Sequence, residues 1–254
     1  MSNKESTSRT IIVTLLLCVV CSVIVSTAAV VLKPIQLANK SLDFKRNILS
    51  AAGLLREGVS IDEQFKAIET KLVDFRSDKF SSEIDIESYD QKKASKDPAL
   101  STPLPAATDI AKIGSQENFA KVFLVEKDGV LNTIILPIKG YGLWSTLYGF
   151  MALQADTNTV VGLGFYEHGE TPGLGGEVDN PKWKSLWVGK EIYAADGSVA
   201  IQVIKGHAEK GSKHKVDGLS GATLTSRGVD NLIKFWMGEN GYGPFLTNLK
   251  NGEA

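Results

Sequence analysis

Residues 11–32 contain no charged residue, no Pro and no Gly, and Ile, Leu, Val, Ala and Cys make up most of the run. Such a stretch leaves the chain few choices. In lipid every backbone N–H and C=O must be bonded within the segment, so there it has to be a helix. At this length the helix rises about 33 Å, against a hydrocarbon core of roughly 30 Å. Apolarity on every face argues against the amphipathic helix of a soluble core. A cleaved signal peptide is the rival reading, because Lys4 and Arg9 precede the run and Ser26-Thr27-Ala28 offers a cleavage site. The run is longer, however, than the ~7–15 residues of a signal's apolar region. The reading adopted is one uncleaved transmembrane anchor over residues 11–33, closed by Lys33-Pro34, behind a cytoplasmic head of residues 1–10. The Lys/Arg count does not by itself place that head inside, since Lys33, Lys40, Lys45 and Arg46 lie beyond the anchor. Its shortness favours the inside, because it then needs no translocation. Cys18 and Cys21 fall within the run, one helical turn apart. They read as small apolar residues rather than a redox or metal pair, since the segment holds no further Cys or His to complete a site.

Everything downstream has to be a water-soluble fold with its own core. The chain has 254 residues, 28 Lys+Arg against 29 Asp+Glu and a formal net charge of −1, a balance that argues against nucleic acid as a partner. Phe44, Ile48, Leu49, Ala52 and Leu55 share a helical face that Gly58 can end. Ser60 and Glu63 form a capping box for a second helix through Ile61, Phe65, Ile68, Leu72 and Phe75. Polar, Pro-containing sequence follows, with room for one short edge strand. Residues 34–107 therefore read as a helical membrane-proximal spacer.

From about residue 119 the pattern changes to short β runs. Residues 122–125 and 130–138 flank Lys127-Asp128-Gly129; residues 148–155 and 160–166 flank Asp156-Thr157-Asn158. Asn180-Pro181 opens a short helix with Trp183 and Trp187 at i, i+4. Residues 191–194 and 199–204 flank an Asp-Gly turn. Residues 108–254 thus read as one domain. The fold class is α+β: an antiparallel sheet with flanking helices, preceded by one transmembrane helix.

The chemistry concentrates at residues 217–226, Asp-Gly-Leu-Ser-Gly-Ala-Thr-Leu-Thr-Ser. Val229, Leu232, Ile233 and Trp236 follow at helical spacing, so this loop runs into a helix N-terminus. Four hydroxyls, Ser220, Thr223, Thr225 and Ser226, then converge with free N–H groups and the positive end of a helix dipole. That is a place for a phosphate. A Ser/Thr-capped helix after a Gly turn is the plain alternative.

Asp217, Ser220, Gly221, Ala222, Thr223 and Thr225 resemble the flavinylation motif of the FMN-binding domain family. The resemblance implies a covalent FMN, held by a phosphoester to Thr225, with Ser220, Gly221, Ala222, Thr223 and Leu224 around it. Residues 168–177, His-Gly-Glu-Thr-Pro-Gly-Leu-Gly-Gly-Glu, resemble the family's second signature, which implies Glu170, Thr171, Gly173 and Leu174 as ring contacts. Gly140-Tyr-Gly-Leu-Trp144 is similar to a third stretch and brings Gly140, Gly142 and Trp144 near the site. Tyr141, Trp144 and Tyr148 have the rings to stack on a flavin, or to fill a core. His168 reads as a solvent-facing loop residue. His207 and His214, among Lys205, Lys210, Lys213 and Lys215, read as a solvated basic loop. No Gly-x-Ser-x-Gly elbow, His/Glu metal cluster or Gly-Lys-Ser/Thr loop is present, so neither a catalytic side chain nor a metal ligand is assigned.

Over nearly its full length the chain resembles the family of flavin-carrying C subunits of sodium-translocating NADH:quinone oxidoreductases. The similar G subunits of ferredoxin-linked electron-transport complexes are the alternative. The long spacer, residues 169–177 and the C-terminal Gly-Tyr-Gly-Pro-Phe-Leu favour the former. The resemblance implies an electron-relay subunit in the inner membrane with its flavin domain on the periplasmic side. It also implies the other subunits as partners and a separate flavin transferase for maturation. A stand-alone membrane-anchored flavoprotein reductase and a non-enzymatic phosphate-binding domain are the readings from other classes.

Overall fold

The computed structural model describes residues 6–254; Lys4 and the rest of the expected head up to residue 5 lie outside the described residues. The chain divides into two compact units, residues 1–44 and 45–254.

The first helix, α1 (Thr7–Ala51), contains the whole apolar run and passes through Pro34. It is long and apolar enough to cross a membrane. Two expectations about helix ends are corrected here. Lys33-Pro34 does not end the helix, and the helix expected around residues 44–55 is not separate. One Pro removes a single i→i−4 bond and bends a helix; it ends one only when nothing beyond favours continuation. Here Phe44, Ile48 and Leu49 carry helical spacing onward, and the last turns bury Ile48, Leu49 and Ala51.

The second correction lies in residues 61–75. Ser60 does cap a helix, accepting from the Glu63 N–H at 3.3 Å, but that helix, α2, is only Ile61–Phe65. Ile68 and Leu72 belong instead to a strand, β1 (Ile68–Asp74). β1 pairs with β2 (Lys79–Ser81) on one side and with β5 (Phe119–Lys127) on the other. The spacer is therefore not helical throughout, and the sheet of the domain starts well before residue 108. Between them, α3 (Gln91–Ala94), β3 (Ser101–Pro103) and β4 (Ser115–Glu117) form a compact excursion, with β3 and β4 antiparallel.

The expected hairpins are present. β5, β6 (Val130–Tyr141), β7 (Thr146–Gln154) and β8 (Val160–Glu167) complete a fully antiparallel six-stranded sheet in the order β2-β1-β5-β6-β7-β8. Next come a 3₁₀ turn (Gly175–Asp179) and α4 (Pro181–Ser185), capped by the Asn180 side chain on the Lys182 N–H. The Trp183 and Trp187 rings meet edge to face at 5.7 Å. β9 (Gln202–Ile204) and β10 (Lys215–Asp217) pair in parallel, and α5 (Thr223–Met237) and α6 (Gly243–Asn251) close the chain.

One sheet face is covered by the C-terminal helices. Ile134, Leu136 and Ile138 of β6 share a core with Val229, Leu232, Ile233 and Trp236 of α5 and with Phe245 of α6. The Trp236 indole N–H donates to the Lys139 carbonyl at 2.7 Å, fixing α5 along β6. On the opposite face Phe65, Phe123, Phe150 and Tyr166 form a chain of ring contacts. A buried ion pair also lies within the domain. The Lys139 Nζ donates to Glu117 Oε2 at 2.5 Å, and the Gln91 amide donates to Oε1 at 2.7 Å.

Candidate functional site

Thr225 sits in the first turn of α5 rather than in the loop before it, and it is completely buried. The helix N-cap, Ala222, contributes no side-chain hydrogen bond. The first amides of α5 therefore lack a side-chain acceptor, while the helix dipole adds partial positive charge there. Directly before it, the Leu219 N–H donates to the Ser226 hydroxyl at 2.9 Å, and Gly221 takes a left-handed φ of 72°. These two features turn the chain sharply into the helix.

The Thr225 hydroxyl donates to Glu170 Oε2 at 2.6 Å. Glu170 follows β8 in the Gly-Glu-Thr-Pro-Gly-Leu-Gly-Gly loop and is itself only 5% exposed. Its other oxygen, Oε1, accepts from the backbone N–H groups of Leu143, Trp144 and Ser145 at 3.0, 3.0 and 3.4 Å. One carboxylate thus ties three separate stretches together: the turn after β6, the loop after β8 and the start of α5. Burial pushes the Glu170 carboxyl up, but the Thr225 hydroxyl and the three amides hold it below the usual value. It is a carboxylate, not an acid, in this arrangement.

Two glycines make the approach feasible. A Cβ at Gly142 would fall 2.6 Å from Glu170 Oε1. One at Gly175 would fall 2.5 Å from Thr225 Oγ1 and 2.6 Å from Glu170 Oε2. Any side chain at either position displaces the carboxylate or the hydroxyl.

Around this polar centre several large apolar side chains stay in solvent: Trp144 at 66%, Leu224 at 52% and Leu174 at 45%, with Leu143 also exposed. Leu174 reaches over Gly221, within 3.1 Å of where a Cβ would stand. Exposed apolar groups beside convergent polar ones are the usual make-up of a ligand site.

The other expected residues fall as follows. Thr171, Gly173, Ser220, Gly221 and Thr223 are exposed beside the centre and Ala222 is buried; Gly140 lies under Leu232 of α5. The four hydroxyls do not converge. Helical residues point about 100° apart, so Thr225 turns to Glu170, Ser226 to Leu219, and Thr223 outward. Glu170 spends its carboxylate on Thr225 and backbone amides. Tyr148 lies against Tyr166 with Lys92 over its ring at 4.0 Å, within the aromatic row of the sheet. His168 is not a free solvent group: its Nε2 pairs with Asp179 at 2.7 Å and its Nδ1 accepts from the Glu170 N–H at 3.2 Å. Asp217 of the motif is structural. The Ala208 N–H and His207 hold its carboxyl below the usual value and so fasten the 205–208 loop. Sequence reasoning misses Gly175 and the 143–145 amides. A Gly-Gly pair five residues after a carboxylate is the one signal it offers for them.

The FMN-binding domain family matches residues 142–238, a span that begins at Gly142 and takes in both loops and all of α5. The chain is 58% identical to the C subunit of the Na(+)-translocating NADH-quinone reductase of Pseudomonas aeruginosa, with both chains covered completely. It is 48% identical to the corresponding C subunit of Vibrio anguillarum, over 99% of this chain and 98% of that protein. Its fold is similar to the crystal structure of Shewanella oneidensis NqrC, with a TM-score of 0.79 and 38% identity over 84% of this chain and 99% of that one. With a matching domain, a shared fold and identity over the full length, the chain belongs to the family of Na(+)-translocating NADH-quinone reductase C subunits, components of a membrane oxidoreductase.

Proposed function

We propose that the chain carries FMN as a phosphoester on Thr225 and relays electrons within a sodium-exporting NADH:quinone oxidoreductase. The observation that carries this reading is the Thr225 hydroxyl. It stands in the first turn of a helix without a side-chain cap, bonded to Glu170 and overlooked by exposed apolar residues. The residues present fit the cofactor: the uncapped amides of α5 suit a phosphate, and Trp144, Leu174 and Leu224 offer exposed apolar surface beside Thr225. Bound FMN supplies the one- and two-electron redox chemistry; the chain supplies position and electrostatics. Thr225 would hold the phosphate. Ser220, Gly221, Ala222, Thr223 and Leu224 would line its approach, and Thr171, Gly173, Leu174, Gly142 and Trp144 would border the ring. Intact-mass measurement with tryptic peptide mapping of protein made beside a flavin transferase tests the attachment. FMN on Ser220 or Thr223 overturns the assignment.

If Leu174 lies against the ring, a charge there is costly in contact with an apolar face. Leu174→Asp is expected to shift the flavin spectrum or its midpoint potential while the ester stays. An unchanged spectrum and potential removes this loop from the ring.

The reading further places the apolar part of α1 in the inner membrane as a retained anchor and residues from Lys33 onward on the periplasmic side. Partners are then the other subunits of the complex, because cytoplasmic NADH does not reach the flavin directly. Protease added to sealed right-side-out spheroplasts is expected to digest the flavin domain. Cleavage only in inverted vesicles reverses the topology, and a mature N-terminus at Ala29 removes the anchor.

A further inference from the structure

Hydroxyl groups are poor nucleophiles, and a phosphoester forms on one only if its proton has somewhere to go. In this fold the Thr225 proton already points at a carboxylate, 2.6 Å away. That carboxylate has no freedom to leave. Its far oxygen is pinned by three backbone N–H groups, and Gly142 and Gly175 are hollowed out around it. Helix packing alone does not demand this, since an apolar pair would fill the same volume without burying a charge.

We propose that Glu170 is the proton acceptor for attachment at Thr225, and that it keeps the proton once the ester has formed. The inference rests on Thr225 being the attachment site. The donor is a flavin nucleotide activated as a phosphoanhydride. The Thr225 O–H bond breaks and its proton passes to Glu170 Oε2. The Thr225 Oγ–P bond forms, and the anhydride P–O bond breaks, its electron pair leaving with the departing phosphate. Before the reaction Glu170 is stabilised as an anion by the hydroxyl. Afterwards the oxygen has no hydrogen to give and a phosphodiester anion stands beside it. Two anions in one small site do not both persist, so the carboxyl remains protonated and donates its O–H to the ester side. Among the described residues, the titratable ring beside Glu170 is that of His168. The His168 ring is already engaged with Asp179 and with the Glu170 N–H.

The test is Glu170→Gln in the full chain, flavinylated by purified transferase from flavin adenine dinucleotide. Gln has the same shape. Its oxygen still takes the three amides, and its NH₂ can donate to the Thr225 oxygen, so a role confined to holding the loops survives the change. A proton acceptor does not. Attachment, followed by intact mass, is expected to slow by about 100-fold or more with an unchanged unfolding temperature. Attachment at the wild-type rate on Thr225 overturns the inference and leaves the Thr225 assignment standing. Flavin mapped to another residue in the wild-type chain overturns both. Infrared difference spectra of the wild-type chain before and after attachment give an answer that does not depend on the variant folding. One carboxylate band is expected to give way to a protonated-carboxyl band, and its persistence overturns the proposal.

Discussion

Thr225→Ala is expected to leave the full chain with no covalent flavin at all, whereas Thr223→Ala keeps attachment. Both residues are threonines in the first turn of α5, and the motif resemblance singles out the second. Their surroundings separate them too. Thr223 is exposed and lines the hollow beside β9. Thr225 is buried, in contact with Glu170 and beneath the backbone of Gly175. Thr225→Ala also removes the donor to a buried carboxylate oxygen, which costs about 1–3 kcal/mol in stability. A colourless protein, correctly folded by circular dichroism and lacking the flavin mass, is the expected result. Flavin retained on the Thr225→Ala chain sinks the assignment.

The largest loss of stability is expected at Glu117, far from the flavin motif in sequence. Its carboxylate is 1% exposed and holds both the Lys139 ammonium and the Gln91 amide. Glu117→Ala leaves an ammonium buried on β6 with its counter-charge gone, a change worth about 3–5 kcal/mol. In a domain of this size each kcal/mol moves the midpoint by about 2–4 °C, so thermal unfolding in detergent shifts down by about 10 °C. The double variant Glu117→Ala with Lys139→Met regains much of that loss, because it removes the stranded charge as well. Equal stability of the single and double variants contradicts this account. Lys139 also lies where α5 is anchored, through its carbonyl to Trp236, so the loss reaches the helix that bears Thr225.

The hairpins are legible in the sequence because alternation and turn chemistry agree. Asp128 and Gly129 take left-handed φ values between β5 and β6, and Thr157 does so between β7 and β8. The helix of the motif is legible from Val229, Leu232, Ile233 and Trp236. The stretch at 61–75 misleads for a definite reason. Ile61, Phe65, Ile68 and Leu72 recur mostly in steps of four, and four is a multiple of both the strand period and, nearly, the helical one. The β-branched Ile68, Thr70 and Val73 and the partner strand β5 decide it. Pro34 misleads too, because propensity within a long apolar helix is weaker than its context. The role of Glu170 is not legible. Its contact with Thr225 joins residues 55 apart in the chain, and the resemblance gives Glu170 only as a ring contact, not as a partner of Thr225.

That 55-residue separation also sets a timetable for maturation. When residues 217–226 first emerge, Thr225 is one hydroxyl among four in a flexible peptide, not yet paired with Glu170. The pairing with Glu170 exists only after β6, β7 and β8 have joined and α5 has docked along β6. On the proposed reading, attachment would then be a step that only a correctly assembled domain supports. If Thr225 carries FMN as proposed, a yellow colour would certify folding, and an isolated motif peptide would not acquire it.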